Sequence, residues 1–433
     1  MRSFSFLILL ILICLTFNSC SKKYCTVGGS GTVGCPSYNP VNDPGSTPPV
    51  LLRSQKQEKG GLEVSTTVLS DKEIIDIFGL DLAKDGIQPI WINIKNTTDK
   101  DYYLIRVFTD PNYFTPNEVA TMNYVTFAVD VNKAIESYTN NNSIKKQIPP
   151  NSEVSGFFYT NWDPGYKYLN IAIFRNNDIK HFLFSHDVPG LKLDYQRVDF
   201  ENLYNDNEVK NINTCQELVE VIKTIPCCTQ KEDGTGQNDP LNFIVVGDPD
   251  VIFSAFTRQG WDVTETINLG SGWKAFKSFF SNNKWRTSPM SSLYFYNRTQ
   301  DIGLQKSRST IHQRNHLRLW LTPNVYNGNT VWIGAVSRDI GSYFTWKTTW
   351  KTAHAIDPDI DEARNYLVQD LIYSQSLKQV GIVDNSLASA TPDEPHVNFM
   401  EQPWWTDGKR VVLIFDKGVT SLNDLEDFEC TDK

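Results

Sequence analysis

Short runs in which apolar and polar residues alternate, separated by turn-forming residues, constrain the fold of this chain most strongly. In PIWINIKNTTDKDYYLI, three isoleucines at alternate positions of residues 90–94 share one face of an extended strand, and a polar turn follows at residues 96–101. SGFFYTNWDPGYKYLNIAIFR repeats this pattern around a turn at residues 162–165. Because half-exposed antiparallel strands hide their apolar faces by packing sheet on sheet, residues 61–204 are predicted to form an all-β, immunoglobulin-like sandwich.

The predicted sandwich shows no sign of a reactive site. One helix is expected near its start, around DKEIIDIFGL at residues 71–80. No cluster of polar residues converges in this half of the sequence. We therefore interpret the domain as a structural spacer or a partner-binding module.

The second half of the chain mixes helices with strands. TCQELVEVIKTI has helical spacing and stops at Pro226, so residues 205–238 are predicted to be a helical, cysteine-containing joint. Further on, TVWIGAVSRD is apolar at both sets of alternate positions, which is typical of a central strand covered on both faces. Consecutive strands bracketed by helices predict an α+β domain with a largely antiparallel sheet over residues 239–433. Its helices are expected at about residues 250–260, 273–280 and 359–375.

The N-terminus has the features of an export signal. Arg2 precedes an apolar run from Phe4 to Phe17 that is shorter than the ~20 residues a membrane-spanning helix needs. Ser19 directly before Cys20 resembles the bacterial lipoprotein signal, in which that cysteine is acylated. We therefore expect a signal peptide at residues 1–19 and a lipoprotein held by palmitate-like acyl chains on Cys20 to a bilayer of the cell envelope. Residues 20–60, rich in Gly, Ser and Pro, are expected to be a flexible tether.

Charge and cysteine content narrow the partners and the compartment. The formal net charge is -9, which opposes binding to nucleic acid. Beyond Cys20, six cysteines remain, and they do not form the pair of C-x-x-C motifs that is typical of metal binding. This favours disulfide bonds in an oxidising compartment. Two pairings suggest themselves, Cys25 with Cys35, and Cys430 with the segment around Cys227 and Cys228. The sequence predicts no cofactor and leaves the oligomeric state open.

Candidate ligand-binding residues lie at the ends of the strands of the second half. In HLRLWLT, three leucines form a core face and leave His316, Arg318 and Trp320 on the other. Arginines from different strands could meet an anion bidentately. The alternative is that they pair with nearby aspartates as part of the scaffold. The predicted ligand-binding residues are Arg298, Asp301, His316, Arg318, Arg338, Asp339, Trp346 and Trp350.

The stretch HAIDPDIDEARNYL, at residues 354–367, resembles a metal-binding loop because aspartates recur at every second position. An EF-hand counted from Asp357 needs glycine at its sixth position and glutamate at its twelfth, and the chain has neither there. Asp359 and Glu362 instead resemble a capping box that starts a helix, so no metal site is predicted. His354 and Asp357 are left as the titratable pair of an enzyme, although a core histidine is the alternative.

Four spaced segments, SSLYFYNRTQDIGLQK, RNHLRLWLT, VWIGAVSRDIG and HAIDPDIDEAR, follow DPLNFIVVGD in this order. Together they resemble the LssY C-terminal domain, from about Asp239 to the end of the chain. Relatives often carry this domain after membrane-embedded modules of the DedA or lipid-phosphatase kind. Those modules are missing from this sequence, so the resemblance implies a domain without implying phosphatase chemistry.

These observations lead to three hypotheses about function. The first is a lipid-anchored envelope protein whose C-terminal domain binds an anionic or sugar-bearing ligand, since no nucleophile elbow, zinc motif or phosphate loop is present. The second is a phosphoester or ester hydrolase, metal-assisted on Asp357 in one version, in which His354 acts as acid or base. The third makes both domains structural parts of an envelope assembly.

Overall fold

The structure is a computed structural model, and it describes residues 26–27, 33–34, 38–163, 165–188, 197–264, 290, 292–308, 313–344, 352–384, 386–418 and 420–430. Several predictions lie outside these residues: the signal peptide, lipidation at Cys20, pairing of Cys25 with Cys35, the helix at residues 273–280, and ligand binding by Trp346 and Trp350. Within the described residues, no helix combines the length and the apolar character needed to cross a membrane.

The chain is mostly β, with seven α-helices in the described residues. The strands are β1 Thr26–Val27, β2 Val33–Gly34, β3 Gln55–Lys59, β4 Leu62–Val68, β5 Ile87–Asn96, β6 Tyr102–Ile105, β7 Gln147–Ile148, β8 Ser152–Asn161, β9 Gly165–Arg175, β10 Asp178–Val188, β11 Lys210–Ile212, β12 Phe243–Gly247, β13 Asp262–Val263, β14 Tyr294–Phe295, β15 Arg298–Thr299, β16 Ile302–Ser307, β17 Arg314–Tyr326, β18 Asn329–Phe344, β19 Thr352–Ile356, β20 Leu377–Val383, β21 His396–Val397, β22 Pro403–Trp404, β23 Arg410–Phe415 and β24 Glu426–Asp427. The helices are α1 Pro48–Arg53, α2 Asp71–Phe78, α3 Pro116–Met122, α4 Val129–Asn141, α5 Cys215–Thr224, α6 Pro249–Arg258 and α7 Ile360–Ile372.

The chain divides into two compact units, the first comprising Met1–Asp101 and Asn112–Trp162. Its main sheet is antiparallel, in the order β3, β4, β5, β8. Helices α2, α3 and α4 bury Phe78, Val119 and Ile135 in one core together with Phe157 of β8. The unit is therefore a sheet packed against helices.

The immunoglobulin-like sandwich predicted for residues 61–204 is not confirmed. Two helices, α3 and α4, occupy part of the region where only strands and one early helix were expected. The predicted strands on either side of the turn at residues 162–165 do form, as β8 and β9, but β9 belongs to the second unit. Helix α2 matches the predicted helix, and Ser70 and Glu73 form the capping box at its start.

The second unit, Tyr102–Pro111 and Asp163–Lys433, contains a ten-stranded sheet. Eight strands follow the order β13, β16, β17, β18, β12, β23, β20, β24, while β11 pairs with β17 and β19 pairs with β18. The pairs β12–β23, β11–β17 and β20–β24 are parallel, and the other pairs are antiparallel. Most pairings in this sheet are thus antiparallel, as predicted. A smaller antiparallel group in the same unit joins β6, β9 and β10.

Strand β18 is central, as its two apolar faces predicted. It pairs with β17 on one side and with β12 on the other. Trp332 and Val336 contact the core that α6 and α7 cover, whereas Ile333 and Ala335 contact the core that includes α5. The sheet is covered on both faces here. The charged residues that follow on β18, Arg338 and Asp339, are therefore candidates for a functional site.

Two disulfide bonds are present among the described residues. Cys430 pairs with Cys215 at the start of α5, with 5.3 Å between their Cα atoms, and Cys227 pairs with its neighbour Cys228. The expected pairing of Cys430 with the segment around Cys227 and Cys228 is therefore wrong. Connectivity depends on which chain segments meet in space, and the spacing of cysteines does not contain that information.

Replacing Cys215 and Cys430 together by serine is expected to lower the free energy of unfolding by about 2–4 kcal/mol. The bond closes a loop with a sequence separation of 215 residues, so its loss raises the conformational entropy of the unfolded chain. Urea denaturation without reductant measures the difference. In the presence of reductant, the double variant and the unchanged protein should become nearly equal. A difference that persists in reductant would assign the effect to side-chain packing instead of the bond.

Candidate functional site

A cleft of about 560 Å³ opens in the second unit where β16 ends and β17 begins. We call it the basic cleft. In register, Arg314 lies opposite Ser307 on one neighbouring strand and Asp339 on the other, while Asn315 lies opposite Lys306 and Arg338. Three strands therefore deliver charged side chains to one place. The cleft is lined by Lys306, Ser307, Arg308, Gln313, Arg314, Asn315, Arg338, Asp339, Ile340 and Tyr366.

A buried carboxylate, that of Asp339, organises one wall of the cleft. Its Oδ2 accepts from Arg314 Nε at 2.9 Å and lies 3.6 Å from His354 Nδ1, while its Oδ1 lies 3.0 Å from His316 Nε2. Arg314 also donates to Gln305. Burial raises the pKa of Asp339, but the two histidines and Arg314 outweigh it and hold this pKa well below its usual range. Asp339 is therefore ionised and fixed by its partners.

The same alternate row of β17 continues inward from Arg314. His316 and Arg318 are both buried, and Arg318 Nη1 lies 3.5 Å from His316 Nδ1 and 3.8 Å from Asp239 Oδ2. Burial raises the pKa of Asp239, against the opposing effect of Arg318 and His316. The predicted polar row of His316, Arg318 and Trp320 is thus formed, but within the sheet's covered face.

The other wall of the cleft carries cations around an aromatic ring. Lys306 Nζ pairs with Asp370 Oδ1 at 2.7 Å and lies over the ring of Tyr366. Arg338 lies over the same ring, 5.3 Å from its centre, and its Nε donates to Asn315 Oδ1 at 2.9 Å. In the part of the chain that the structure describes, no carboxylate lies within ion-pairing distance of Arg338 or of the exposed Arg308.

Comparison with known proteins bears on the part of the chain that contains this cleft. Residues 221–409 match the family model described as LssY C-terminus. This part of the chain is an LssY C-terminal domain. The match includes every residue that lines the basic cleft and confirms the family resemblance of the four sequence segments. No curated protein matches the chain.

Arg298 and Asp301 lie in the LssY C-terminal domain but are not among the lining residues of the basic cleft. Arg298 donates through Nε and Nη2 to both oxygens of the fully buried Asp301, at 2.8 and 2.9 Å, and also to Leu321 O. Its guanidinium lies over the ring of Tyr204 and over the ring of Tyr296, 5.4 and 5.5 Å from their centres. This is the scaffold arrangement weighed as the alternative, and ligand binding by this pair remains a prediction.

The acidic stretch at residues 357–361 forms hydrogen bonds within itself and with residues 406 and 407. Asp357 Oδ1 accepts from the Asp359 amide, and Asp359 caps α7 by accepting from the Asp361 amide. Asp361 in turn accepts from Thr406 Oγ1 and the Asp407 amide. Asp359 is confirmed as the residue that starts the helix, but its bond goes to the Asp361 amide, and the described residues form no capping box with Glu362. Among the described residues, no group of three or more His, Cys, Asp or Glu is placed to hold a metal ion.

Replacing Asp359 by alanine is expected to lower the free energy of unfolding by about 1 kcal/mol, because the first turn of α7 loses a side-chain acceptor. Urea denaturation followed by circular dichroism measures the change. Asp393→Ala, in an exposed loop, is the matched control and should have no effect. A loss above about 3 kcal/mol would show that Asp359 does more than cap the helix.

The two residues of the predicted catalytic pair have different contacts. His354 lies on β19 beside Asp339, whereas the carboxylate of Asp357 contacts the Asp359 amide. Sequence reasoning also missed several residues of the cleft, chiefly Arg314, Lys306, Arg308 and Tyr366. A signal for Arg314 was present, since it stands two residues before His316 and so shares its face. Catalysis by His354 and Asp357 remains a prediction.

Proposed function

We propose that the LssY C-terminal domain binds an anionic ligand in the basic cleft. The ligand is either a simple anion or an anion that carries a sugar. The observation that carries this proposal is the presence of two arginines, Arg308 and Arg338, in a cleft where the only carboxylate among the described lining residues, that of Asp339, is already engaged by other groups. A cleft of about 560 Å³ also falls within the range of ordinary small-molecule sites.

The ion pairs of the cleft indicate which cations are available. Arg314 is paired with Asp339 and Lys306 with Asp370, so their charges are compensated by the protein. Arg308 and Arg338 have no such partner among the described residues. A guanidinium offers several donors in a fixed plane and binds oxyanions bidentately. The anion is therefore expected to contact these two arginines, with the Arg314–Asp339 pair as the supporting wall.

Replacing Arg338 by glutamine is expected to weaken binding of small oxyanions at least tenfold, because one of two uncompensated charges is removed. Isothermal titration calorimetry with a panel of oxyanions at low salt measures the affinity, and circular dichroism checks the fold. Lys378→Gln, an exposed cation on β20 outside the cleft, is the matched control and should bind like the unchanged protein. Equal affinity in Arg338→Gln, or no binding by any anion to the unchanged protein, would reject the proposal.

A second candidate function, hydrolysis of a phosphoester or ester, has one observation in its favour. Two imidazoles, those of His316 and His354, share the carboxylate of Asp339 at the wall of the cleft. A carboxylate that orients an imidazole is the usual support of a general base. In this version, His354 takes a proton from the attacking water and Asp339 holds its ring.

Turnover of p-nitrophenyl phosphate and p-nitrophenyl acetate, with and without divalent metal ions, tests the hydrolase. His354→Ala should then reduce the rate by a factor on the order of 100 or more, while His396→Ala, outside the cleft, should leave it unchanged. An unchanged protein that turns over neither substrate rules out hydrolysis of these two ester classes.

The cellular setting is also a proposal. We propose that the chain is a lipoprotein of the cell envelope, acylated on Cys20, whose first unit acts as a spacer or partner-binding module. The apolar run that ends shortly before Cys20 supports it. Metabolic labelling with a palmitate analogue should mark the protein, and Cys20→Ser should abolish the label. Equal labelling of both proteins would place the lipid elsewhere.

A further inference from the structure

If the basic cleft binds an anion as proposed above, the structure also indicates the chemical class of that anion. We infer that the basic cleft takes a phosphate monoester or inorganic phosphate in its doubly charged form. The inference comes from the charge balance of the cleft and from the number of donors that its arginines leave unused.

The charge balance favours a dianion. Four of the described residues that line the cleft are cationic, and the protein supplies one carboxylate each for Arg314 and Lys306. Two positive charges, on Arg308 and Arg338, are left without a carboxylate in the described residues. A phosphate monoester carries a charge of about −1.5 to −2 near neutral pH, which matches this excess. A monocarboxylate would leave one cation uncompensated.

The donors favour a group with more than two oxygen atoms. Only Nε of the Arg338 guanidinium has a protein acceptor among the described residues, the Asn315 side chain. The Arg308 side chain has no protein acceptor there at all. Two guanidinium groups that each bind in the bidentate manner need up to four acceptor positions. The three terminal oxygens of a phosphate monoester, with their several lone pairs, can supply them from one compact centre, whereas a carboxylate has two oxygens.

The remaining lining residues leave space for the esterified group. Tyr366 is held under Arg338 and Lys306, and Ile340 is 49% exposed at the cleft. These side chains offer an apolar surface next to the cations. The cleft can therefore contact both a phosphate and the carbon skeleton attached to it.

Calorimetric titration of the full chain at pH 8 and low salt tests the inference, since phosphate is doubly charged at this pH. The probes are inorganic phosphate, glycerol phosphate and malonate, a dicarboxylate of the same charge. Phosphate and glycerol phosphate should bind at least tenfold more tightly than malonate. Arg308→Gln and Arg338→Gln should each weaken phosphate binding at least tenfold, Arg338→Lys should retain part of it, and Lys378→Gln should retain all of it.

The outcomes separate this inference from the proposed function. If malonate binds as tightly as phosphate and Arg338→Gln weakens both, the cleft binds anions but the phosphate assignment is overturned. If none of the anions binds, both are overturned. Arg308 is exposed, so its variant should fold even if changes at Arg338 disturb the sheet.

Vesicles of phosphatidylcholine with and without phosphatidic acid then distinguish the source of the phosphate group. Capture of the protein only by vesicles with phosphatidic acid, lost in Arg308→Gln, identifies a lipid headgroup. Binding of glycerol phosphate without capture by either vesicle identifies a soluble ester.

Discussion

Replacing Arg410 by methionine is expected to lower the free energy of unfolding by about 4 kcal/mol or more. Arg410 is fully buried on β23 and has no carboxylate partner among the described residues. Its guanidinium instead donates to four backbone carbonyls, those of Ile222, Ile225, Pro226 and Leu241, at 2.6–3.0 Å. Methionine fills similar space but removes these four hydrogen bonds. The Ile222 carbonyl keeps the Ile225 amide as a donor, and each buried acceptor that is left unpaired costs about 1–3 kcal/mol.

The position of Arg410 explains why the loss should be large. The carbonyls it binds belong to the last turn of α5, to the two residues directly after it, and to Leu241 shortly before β12, so one side chain of β23 contacts three parts of the second unit. Burial lowers the pKa of Arg410 to about 10, which still leaves it charged at neutral pH. Urea denaturation measures the change, and Lys378→Met, an exposed cation of the same domain, serves as the control. A loss below about 1 kcal/mol in Arg410→Met would show that the carbonyls find other donors.

Replacing Asp339 by alanine is the second change with a large expected effect, a loss of about 3–5 kcal/mol. The substitution removes the carboxylate that Arg314 and His316 contact, and both are buried. A buried cation without its counter-ion is costly, and this cost exceeds what the pair itself contributes. Asp339→Asn keeps the shape and one acceptor oxygen, so its loss should be smaller than that of Asp339→Ala.

The effect of Asp339 should depend on pH in a defined direction. Its folded pKa lies below the ordinary value of an aspartate, so its carboxylate contributes stability above the unfolded pKa of about 3.9 and loses that contribution as pH falls toward the folded value. The difference in unfolding free energy between the unchanged protein and Asp339→Asn should therefore be present above about pH 4 and shrink below it. Urea denaturation at pH 7, 4, 3 and 2 measures it. A difference that stays constant over this range would mean that Asp339 is not held by its cationic neighbours.

Much of the second unit could be predicted because its sequence patterns are local. The two apolar faces of residues 330–336 predicted the central position of β18, and helix α7 begins directly after Asp359, the predicted cap. In the first unit, helix α3 was missed although its signal was present. Thr115, Pro116 and Glu118 form the start of α3 with a capping box and proline in the first turn. The alternating runs on either side predicted strands for this region instead.

The candidate site could be predicted only in part, because strand register is not written in the sequence. Alternation placed His316 and Arg318 on one face correctly. It could not show that Arg314 lies opposite Asp339, since that depends on how β17 and β18 pair over a long separation. Neighbouring residues on a strand also point to opposite faces, so Arg338 and Asp339 line different walls of the cleft.

The most direct test of the account is to locate a bound anion. A crystal of the protein soaked in tungstate, a tetrahedral dianion that scatters anomalously, should show an anomalous difference peak in the basic cleft between the guanidinium groups of Arg308 and Arg338, and the peak should be lost in the Arg308→Gln, Arg338→Gln double variant. A peak that persists in the double variant, or tungstate bound only outside the basic cleft, would contradict the account.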